Sequence, residues 1–234
     1  MRTKDIIIFG VCILLSAIIL GIFFYNSRKV QNTIRVTGYA TKRFDSDVVK
    51  WTMVISRPVG LNDMKTGYQS IRQDVEILTN ELKKNGIIDN EITIQPVSSQ
   101  QQYNRDGLVS GYTIRQTLFI ISNNLNTIEK LARNPDFIYN KGIILESSYM
   151  EYNYSKISDL KKALLAEATK DAKSRALEIA NSSGSKLGKM ISARQGVFQI
   201  TEPNSTEVSD YGVYSTATKT KDITVTLTVT FVIK

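Results

Sequence analysis

The chain has 234 residues, of which 42% are hydrophobic and 22% charged, and its net charge is +8. This composition is typical of a folded protein and excludes a disordered or collagenous chain. Histidine is absent and Cys12 is the only cysteine. The sequence therefore excludes histidine-based catalytic triads, His-containing or Cys-rich metal sites and a disulfide framework within the chain.

Residues 6–25 carry no charge and are almost entirely apolar. As an α-helix that rises 1.5 Å per residue they would extend about 30 Å, which matches the hydrocarbon thickness of a bilayer. A cleaved signal peptide usually has a shorter apolar core, and a lipoprotein signal needs a longer apolar run than the one before Cys12. The segment predicts an uncleaved transmembrane helix at 6–25, within a membrane anchor of residues 1–29.

The charges beside this segment leave its orientation open. Arg2 and Lys4 precede it, whereas Arg28, Lys29 and Arg35 follow it. The positive-inside rule taken alone places the following domain in the cytoplasm, but long domains cross membranes largely regardless of such charges.

Two strands and a helix are predicted after the anchor. Ile34 and Val36 alternate with polar residues, and residues 49–55 repeat this period of two. An apolar helical stripe then runs from Leu61 to Leu82, and Asn85-Gly86 supplies a stop. The stripe is short and lies between strands, so it favours one helix on a sheet over a coiled coil.

The middle of the chain predicts further hairpins. Ile92 and Ile94 indicate a short strand that leads into the Gln-rich run 98–102 and a turn at 104–107. Residues 111–122 are apolar on both faces near their end, which is typical of a central, covered strand. A short helix at 126–133 and a strand at 143–152 follow.

The last part of the chain contains a second long helix. It is predicted from Ser155 or Ser158 to about Ser183, with a ridge of small residues at Ala168, Ala172, Ala176 and Ala180. Residues 186–199 predict a strand, 201–218 a loop, and 219–234 a strand with one apolar and one threonine face. The fold class is α+β: an antiparallel or mixed sheet of hairpins packed by two long helices, preceded by the transmembrane helix.

No residue pattern predicts a named reaction. Ser-x-x-Lys occurs at Ser158/Lys161 and Ser183/Lys186, about as often as chance predicts and without its partner motifs. Asp45-Ser-Asp47 lacks the further oxygen ligands of a calcium loop and favours a turn. The sequence therefore predicts no catalytic residue, no cofactor and no metal site, and the chain is not expected to be an enzyme.

Two clusters on the strand at 143–152 remain as candidates. Glu146 and Glu151 are five residues apart, which predicts opposite faces of the strand and argues against a shared acid/base site. Tyr149, Tyr152 and Tyr154 are either an interaction surface or core residues, and the sequence leaves both readings open.

Several strings resemble the SIMPL-domain family. They are Ile34-Arg-Val-Thr-Gly38-Tyr-Ala, Gly111-Tyr-Thr-Ile-Arg-Gln-Thr-Leu, the helix from Glu167 to Ala180, Gly184-Ser-Lys-Leu-Gly188 and the closing strand 223–231. The resemblance covers residues 33–234, and the alanine-spaced helix followed by Gly-x-x-Leu-Gly is its most specific part. Ala40 replaces the second glycine of the family's usual opening, and Ser46 replaces the proline before Asp47.

The resemblance implies a SIMPL-like α+β domain over residues 30–234. It also implies export to the bacterial cell envelope, periplasmic or surface-exposed, a loose link to stress tolerance, and homo-oligomers that in some members are ring-like or channel-like. It places the domain in the periplasm or outside the cell, on a single-pass protein of the cytoplasmic membrane. The family has no established catalytic residues, so none is transferred.

Three hypotheses follow. The first is a non-enzymatic, membrane-anchored envelope protein that homo-oligomerises or binds an unknown protein partner. The second is a small-ligand-binding protein or an unrecognised hydrolase with a cleft under the 201–218 loop. The third is a cytoplasm-facing protein whose positive charge binds anionic lipid or nucleic acid, although the scattered charge does not indicate a nucleic-acid partner.

Overall fold

A computed structural model describes residues 3–27 and 32–234 and, within the first helix, the side chains of residues 9–25. The helices of these residues are α1 (Thr3–Ser27), α2 (Met64–Lys84), α3 (Leu125–Arg133), α4 (Asp136–Tyr139) and α5 (Ile157–Ser182). The strands are β1 (Thr33–Asp45), β2 (Val48–Val59), β3 (Ile92–Ile94), β4 (Ser98–Tyr103), β5 (Val109–Ser122), β6 (Ile144–Asn153), β7 (Leu187–Gln195), β8 (Gln199–Thr201) and β9 (Thr220–Ile233). The α+β class is therefore confirmed.

The apolar N-terminal segment is helical, but the transmembrane prediction is wrong. A helix that crosses a bilayer needs about 20 consecutive apolar residues. Within residues 3–27 and 32–234, no helix combines the length and the apolarity needed to cross a membrane. This finding overturns the transmembrane helix at 6–25 and the single-pass localisation in the cytoplasmic membrane. The predicted boundary between residues 29 and 30 lies outside the described residues.

A five-stranded antiparallel sheet has the order β3-β5-β2-β6, with β4 also paired to β5. The helices α2 and α3 pack on one face of this sheet. The predicted apolar stripe of α2 is confirmed, since Ile71, Leu78 and Leu82 are buried against the sheet. The largest fully buried side chain of this core is Trp51 on β2.

A second, four-stranded sheet has the order β1-β9-β7, with β8 also paired to β9. Its central strand β9 has the predicted alternation, because Ile223, Val225 and Val229 are buried while the intervening threonines are not. The sequence predicted one sheet and the structure has two. The period-two pattern reports which face of a strand is buried, but not which other strand it pairs with.

The chain divides into two compact units. One contains Met1–Tyr39, Ala168–Gly196 and Leu227–Lys234, and the other contains Ala40–Glu167 and Val197–Thr226. The five-stranded sheet and its core lie in the second unit. In the first unit, Gly38 of β1 packs against α5: a Cβ at this glycine would lie 2.6 Å from the Ala172 Cβ.

The alanine ridge of α5 is confirmed as a packing surface, because Ala168, Ala172, Ala176 and Ala180 are all buried. The predicted N-cap serine has another role, since the Ser155 N–H and hydroxyl donate to Asp47 at 2.7 and 2.6 Å. The helix ends before Gly184, whose φ of 71° is the left-handed conformation that glycine adopts at a helix end.

Candidate functional site

One face of the five-stranded sheet is not used by the core. Residues directly opposite each other in an antiparallel pair point to the same face, and Trp51 marks the core side. The residues that alternate with it lie on the other side, which we call the open face. Its members, from the pairing of β2 with β5 and β6, are Lys50, Thr52, Val54, Ser56, Arg115, Thr117, Phe119, Ile121, Ser147, Tyr149 and Glu151.

An aromatic row crosses the open face. Thr52 pairs with Phe119 on one neighbouring strand and with Tyr149 on the other. Thr52 is only 1% exposed, and its hydroxyl has no hydrogen-bond partner. Tyr149 is 53% exposed and Ile121, one row away, is 48% exposed. The open face thus has exposed apolar side chains, which in folded proteins often mark an interaction site. It also has a buried hydroxyl without a hydrogen-bond partner, and folded proteins contain few buried polar groups of this kind.

The charges of the open face are paired with one another. Lys50 Nζ lies 2.8 Å from Glu151 Oε2 and 4.8 Å from the centre of the Phe119 ring. The hydrogen bond with Glu151 raises the pKa of Lys50. Arg115 Nε lies 2.7 Å from both carboxylate oxygens of Glu146 and lowers the pKa of that carboxyl. These pairs leave little net charge to oppose the approach of another protein surface.

A bulge in β6 brings Glu146 onto the open face. The β2–β6 register shifts between Val54 and Ile55, so that Leu145 lies opposite Ile55. One extra residue reverses the alternation of faces along the strand. Glu146 and Glu151 therefore share a face, and the predicted opposite faces are wrong. Each of the two carboxylates pairs with a different basic residue, so they are not arranged as an acid/base pair.

The tyrosine cluster of β6 separates into different environments. Tyr149 belongs to the open face, whereas Tyr152 is buried in the core and donates its hydroxyl to Glu129 at 3.2 Å. Burial raises the pKa of Tyr152. Tyr154 lies against Phe44, with ring centres 5.1 Å apart. One of the three tyrosines is thus available as an interaction residue of the sheet face.

A cavity of about 360 Å³ lies at the 201–218 loop, where the alternative hypothesis places a cleft. Its lining residues are Val197, Gln199, Val208, Ser209, Asp210 and Thr226. The Gln199 amide holds the loop: Nε2 donates to the Ser209 carbonyl oxygen at 2.7 Å, and Oε1 accepts from the Val213 N–H at 2.8 Å. This side chain is therefore engaged with the loop backbone, and Asp210 is the carboxylate of the lining.

A buried lysine adjoins this loop and was missed by the sequence analysis. Lys221 of β9 is 1% exposed, and its ammonium group donates to the Tyr152 carbonyl oxygen. The Tyr214 ring centre lies 6.0 Å from the ammonium nitrogen. Burial lowers the pKa of Lys221. The sequence contained a signal for this burial, because Lys221 lies two residues before Ile223 and therefore on the buried face of β9.

The motif residues that carry candidate chemistry make structural contacts. The Ser183 hydroxyl donates to the Ala180 carbonyl oxygen at 2.9 Å, and Lys161 Nζ lies 5.3 Å from the Phe198 ring centre. Asp45 accepts a hydrogen bond of 2.6 Å from Thr220. In the part of the chain that the structure describes, no group of three or more acidic or cysteine side chains could hold a metal ion.

Comparison with known proteins agrees with the strings singled out above. The model of the SIMPL family, described as a protein of unknown function (DUF541), matches residues 34–233. No curated protein matches the chain. The matched region contains both sheets and the helices α2–α5. The chain therefore belongs to the SIMPL family.

Proposed function

We propose that this chain is a non-catalytic protein-binding domain that self-associates through the open face. The observation that carries the proposal is the exposure of Tyr149 and Ile121 on a sheet face whose charged side chains are paired with one another. A partner surface would remove the exposed apolar area of Tyr149 and Ile121 from water.

The chemistry of the open face fits an interface better than a reaction. Interface centres are enriched in aromatic side chains and depleted in unpaired charges. The ion pairs Lys50–Glu151 and Arg115–Glu146 keep the charges of the face compensated. Each carboxylate of the face is held by one of these pairs.

The test is the mass of the full chain in solution, measured by light scattering after gel filtration. Tyr149→Asp and Ile121→Asp each put a charge into the open face at an exposed position and should convert the oligomer to smaller species. Tyr139→Asp is the matched control, since Tyr139 on α4 is 55% exposed and does not belong to the open face. All variants retain α1, so any association through its exposed apolar side chains is equal. An unchanged mass in both open-face variants would contradict the proposal.

A role in stress tolerance rests on the family resemblance. Its test is the survival of a deletion strain under oxidative and heat stress, complemented with the native chain or with Tyr149→Asp. Rescue by the native chain and not by the variant would link the role to the open face.

The cavity under the 201–218 loop supports a second candidate, a small-ligand site. A screen of small polar metabolites by thermal shift on the full chain and on Asp210→Asn tests it, because a ligand of this cavity should stabilise only the native chain. Stabilisation of both proteins alike would place the ligand elsewhere.

A further inference from the structure

The outer edge of β1 carries main-chain groups that no described strand uses. β1 stands at the end of the order β1-β9-β7. The Ile233 N–H donates to the Asn32 carbonyl oxygen at 2.9 Å, so the main-chain groups of Asn32 face β9. These groups alternate in direction along an antiparallel strand. Those of Arg35, Thr37 and Tyr39 therefore point away from β9.

The chain itself closes one point of this edge with a carboxylate. The Tyr39 N–H donates to Asp171 Oδ2 of α5 at 2.8 Å, and Arg175 Nε donates to the same oxygen at 2.7 Å. The hydrogen bonds from Arg175 and from Tyr39 lower the pKa of Asp171. This contact confirms that the Tyr39 N–H points away from β9. It also shows that a carboxylate can bind an outward N–H of β1 and a neighbouring guanidinium group together.

A groove of about 600 Å³ continues from this point between the edge and α5. It is lined by Arg35, Val36 and Thr37 of β1 and by Ser174, Arg175, Glu178 and Ile179 of α5. Its volume falls in the range of ligand sites in proteins. Ile179 is 50% exposed and offers an apolar contact on the helix wall.

The groove has unused hydrogen-bonding capacity and unused positive charge. Within the described residues, the main-chain groups of Arg35 and Thr37 on the outer edge have no hydrogen-bond partner, and the Arg35 guanidinium has no ion pair. Of the two guanidinium groups in the groove lining, that of Arg175 is paired with Asp171, so the charge that is left for a ligand is that of Arg35. An acidic side chain is therefore favoured at the Arg35 end.

We propose that this groove binds an extended, acidic peptide segment of a partner protein, which adds a strand to the outer edge of β1. Main-chain hydrogen bonds to Arg35 and Thr37 supply affinity, and an Asp or Glu of the peptide pairs with Arg35. Strand addition at an exposed edge is an established mode of peptide recognition, with side-chain contacts giving selectivity. The groove shares no residue with the open face, so the failure of one proposal leaves the other standing.

The test uses a phage-displayed library of random seven-residue peptides selected on the full chain. A selected, dye-labelled peptide is then titrated by fluorescence anisotropy. Thr37→Pro removes the outward N–H and leaves the main-chain hydrogen bonds to β9 in place, and should raise the Kd by about tenfold or more. Thr37→Val is the matched control, because it loses the same hydroxyl and keeps the N–H. Arg35→Gln should weaken acidic peptides and leave their Asn or Gln versions unchanged.

A second arm keeps the test decisive if Thr37→Pro does not fold. N-methylation of every second peptide amide blocks main-chain pairing on one edge of the peptide and keeps its side chains. Two such peptides can be made, methylated at the odd or at the even residues, and the one whose methyl groups face β1 should not bind. Equal binding to Thr37→Pro and Thr37→Val, or binding unaffected in both methylation frames, overturns the proposal. The proposal is also wrong if no selected peptide binds the Thr37→Pro variant more weakly than the native chain. It is equally wrong if Thr37→Pro alters the oligomeric mass of the full chain and leaves peptide binding unchanged, because the edge would then be occupied by a second copy and not by a peptide segment.

Discussion

The buried ammonium group of Lys221 donates a hydrogen bond to the main-chain carbonyl oxygen of Tyr152. The N–H of the same tyrosine donates to the Thr216 carbonyl oxygen at 2.8 Å. Both main-chain groups of Tyr152 that point away from β2 are thus occupied, one by β9 and one by the 201–218 loop. The lysine therefore blocks one end of the edge strand β6, a position at which unpaired groups invite unwanted strand pairing.

Lys221→Met should change how stability depends on pH. Burial lowers the pKa of Lys221 below its ordinary value of 10.5, so the unfolded chain binds the proton more tightly than the folded chain. The resulting penalty on the folded state is fully present below the lowered pKa and disappears as the pH rises through that pKa toward 10.5. We expect the native chain to gain stability relative to Lys221→Met between neutral pH and pH 10.5, measured by urea unfolding.

Lys219→Met is the control for this prediction. Its side chain is 41% exposed and its Nζ lies 3.6 Å from Glu129 Oε1. The native chain should not show the same alkaline gain relative to this variant. Parallel pH curves for the native chain and Lys221→Met would show that the buried ammonium group is not penalised.

Thr52→Val should stabilise the isolated chain by about 1 kcal/mol, because it removes a buried hydroxyl that has no partner and keeps the shape of the side chain. The free energy of unfolding at low protein concentration measures this effect. Thr228→Val is the control, since the Thr228 hydroxyl lies 3.1 Å from that of Thr37 and its removal should bring no gain. A loss of stability in Thr52→Val would indicate that the hydroxyl is satisfied.

Gly38→Ala should be strongly destabilising. The new Cβ would overlap the Ala168 carbonyl oxygen and lie 2.6 Å from the Ala172 Cβ, and both neighbours belong to the backbone and ridge of a long helix that cannot give way locally. Overpacking of this kind costs about 1–3 kcal/mol or more. Thermal unfolding should show a clear loss of Tm. Gly10→Ala, where the new Cβ meets nothing within 4 Å, should not lower it.

Asp74→Asn should lower the free energy of unfolding, because it disrupts the partly buried ion pair between α2 and β2. Asp74 is nearly inaccessible and accepts from Arg57 Nε at 2.5 Å and Nη2 at 2.7 Å. The substitution leaves the guanidinium without a counter-charge and should cost about 2–3 kcal/mol, less than for a fully buried pair because Arg57 is 30% exposed. The double change Arg57→Leu with Asp74→Leu should cost less than Asp74→Asn alone. The opposite order in urea unfolding would show that the pair itself is strongly stabilising.

Local pattern predicted most of the elements and their buried sides. The stripe of α2, the alanine ridge of α5 and the alternation of β9 follow from the helical period of 3.6 residues and the strand period of two. Both periods can be read from residues that are close together along the chain. The strings near Gly38 and Ala172 indicated the family, and the structure gives their physical reason: they are the two sides of one close helix–strand contact.

Two other predictions were wrong. A hydropathy count over residues 6–25 predicted a membrane span, yet no helix among the described residues meets that requirement. The bulge in β6 that brings Glu146 and Glu151 onto one face is set by pairing with β2.

The sequence by itself determined which side chains are apolar, where the chain turns and which family the chain resembles. Only the tertiary structure decided that the strands form two sheets, that Lys221 is buried, and that the outer edge of β1 lies open beside α5. The reason is that a strand's own residues fix its alternation, whereas its neighbours, its register and its free edge follow from hydrogen bonds to segments far along the chain.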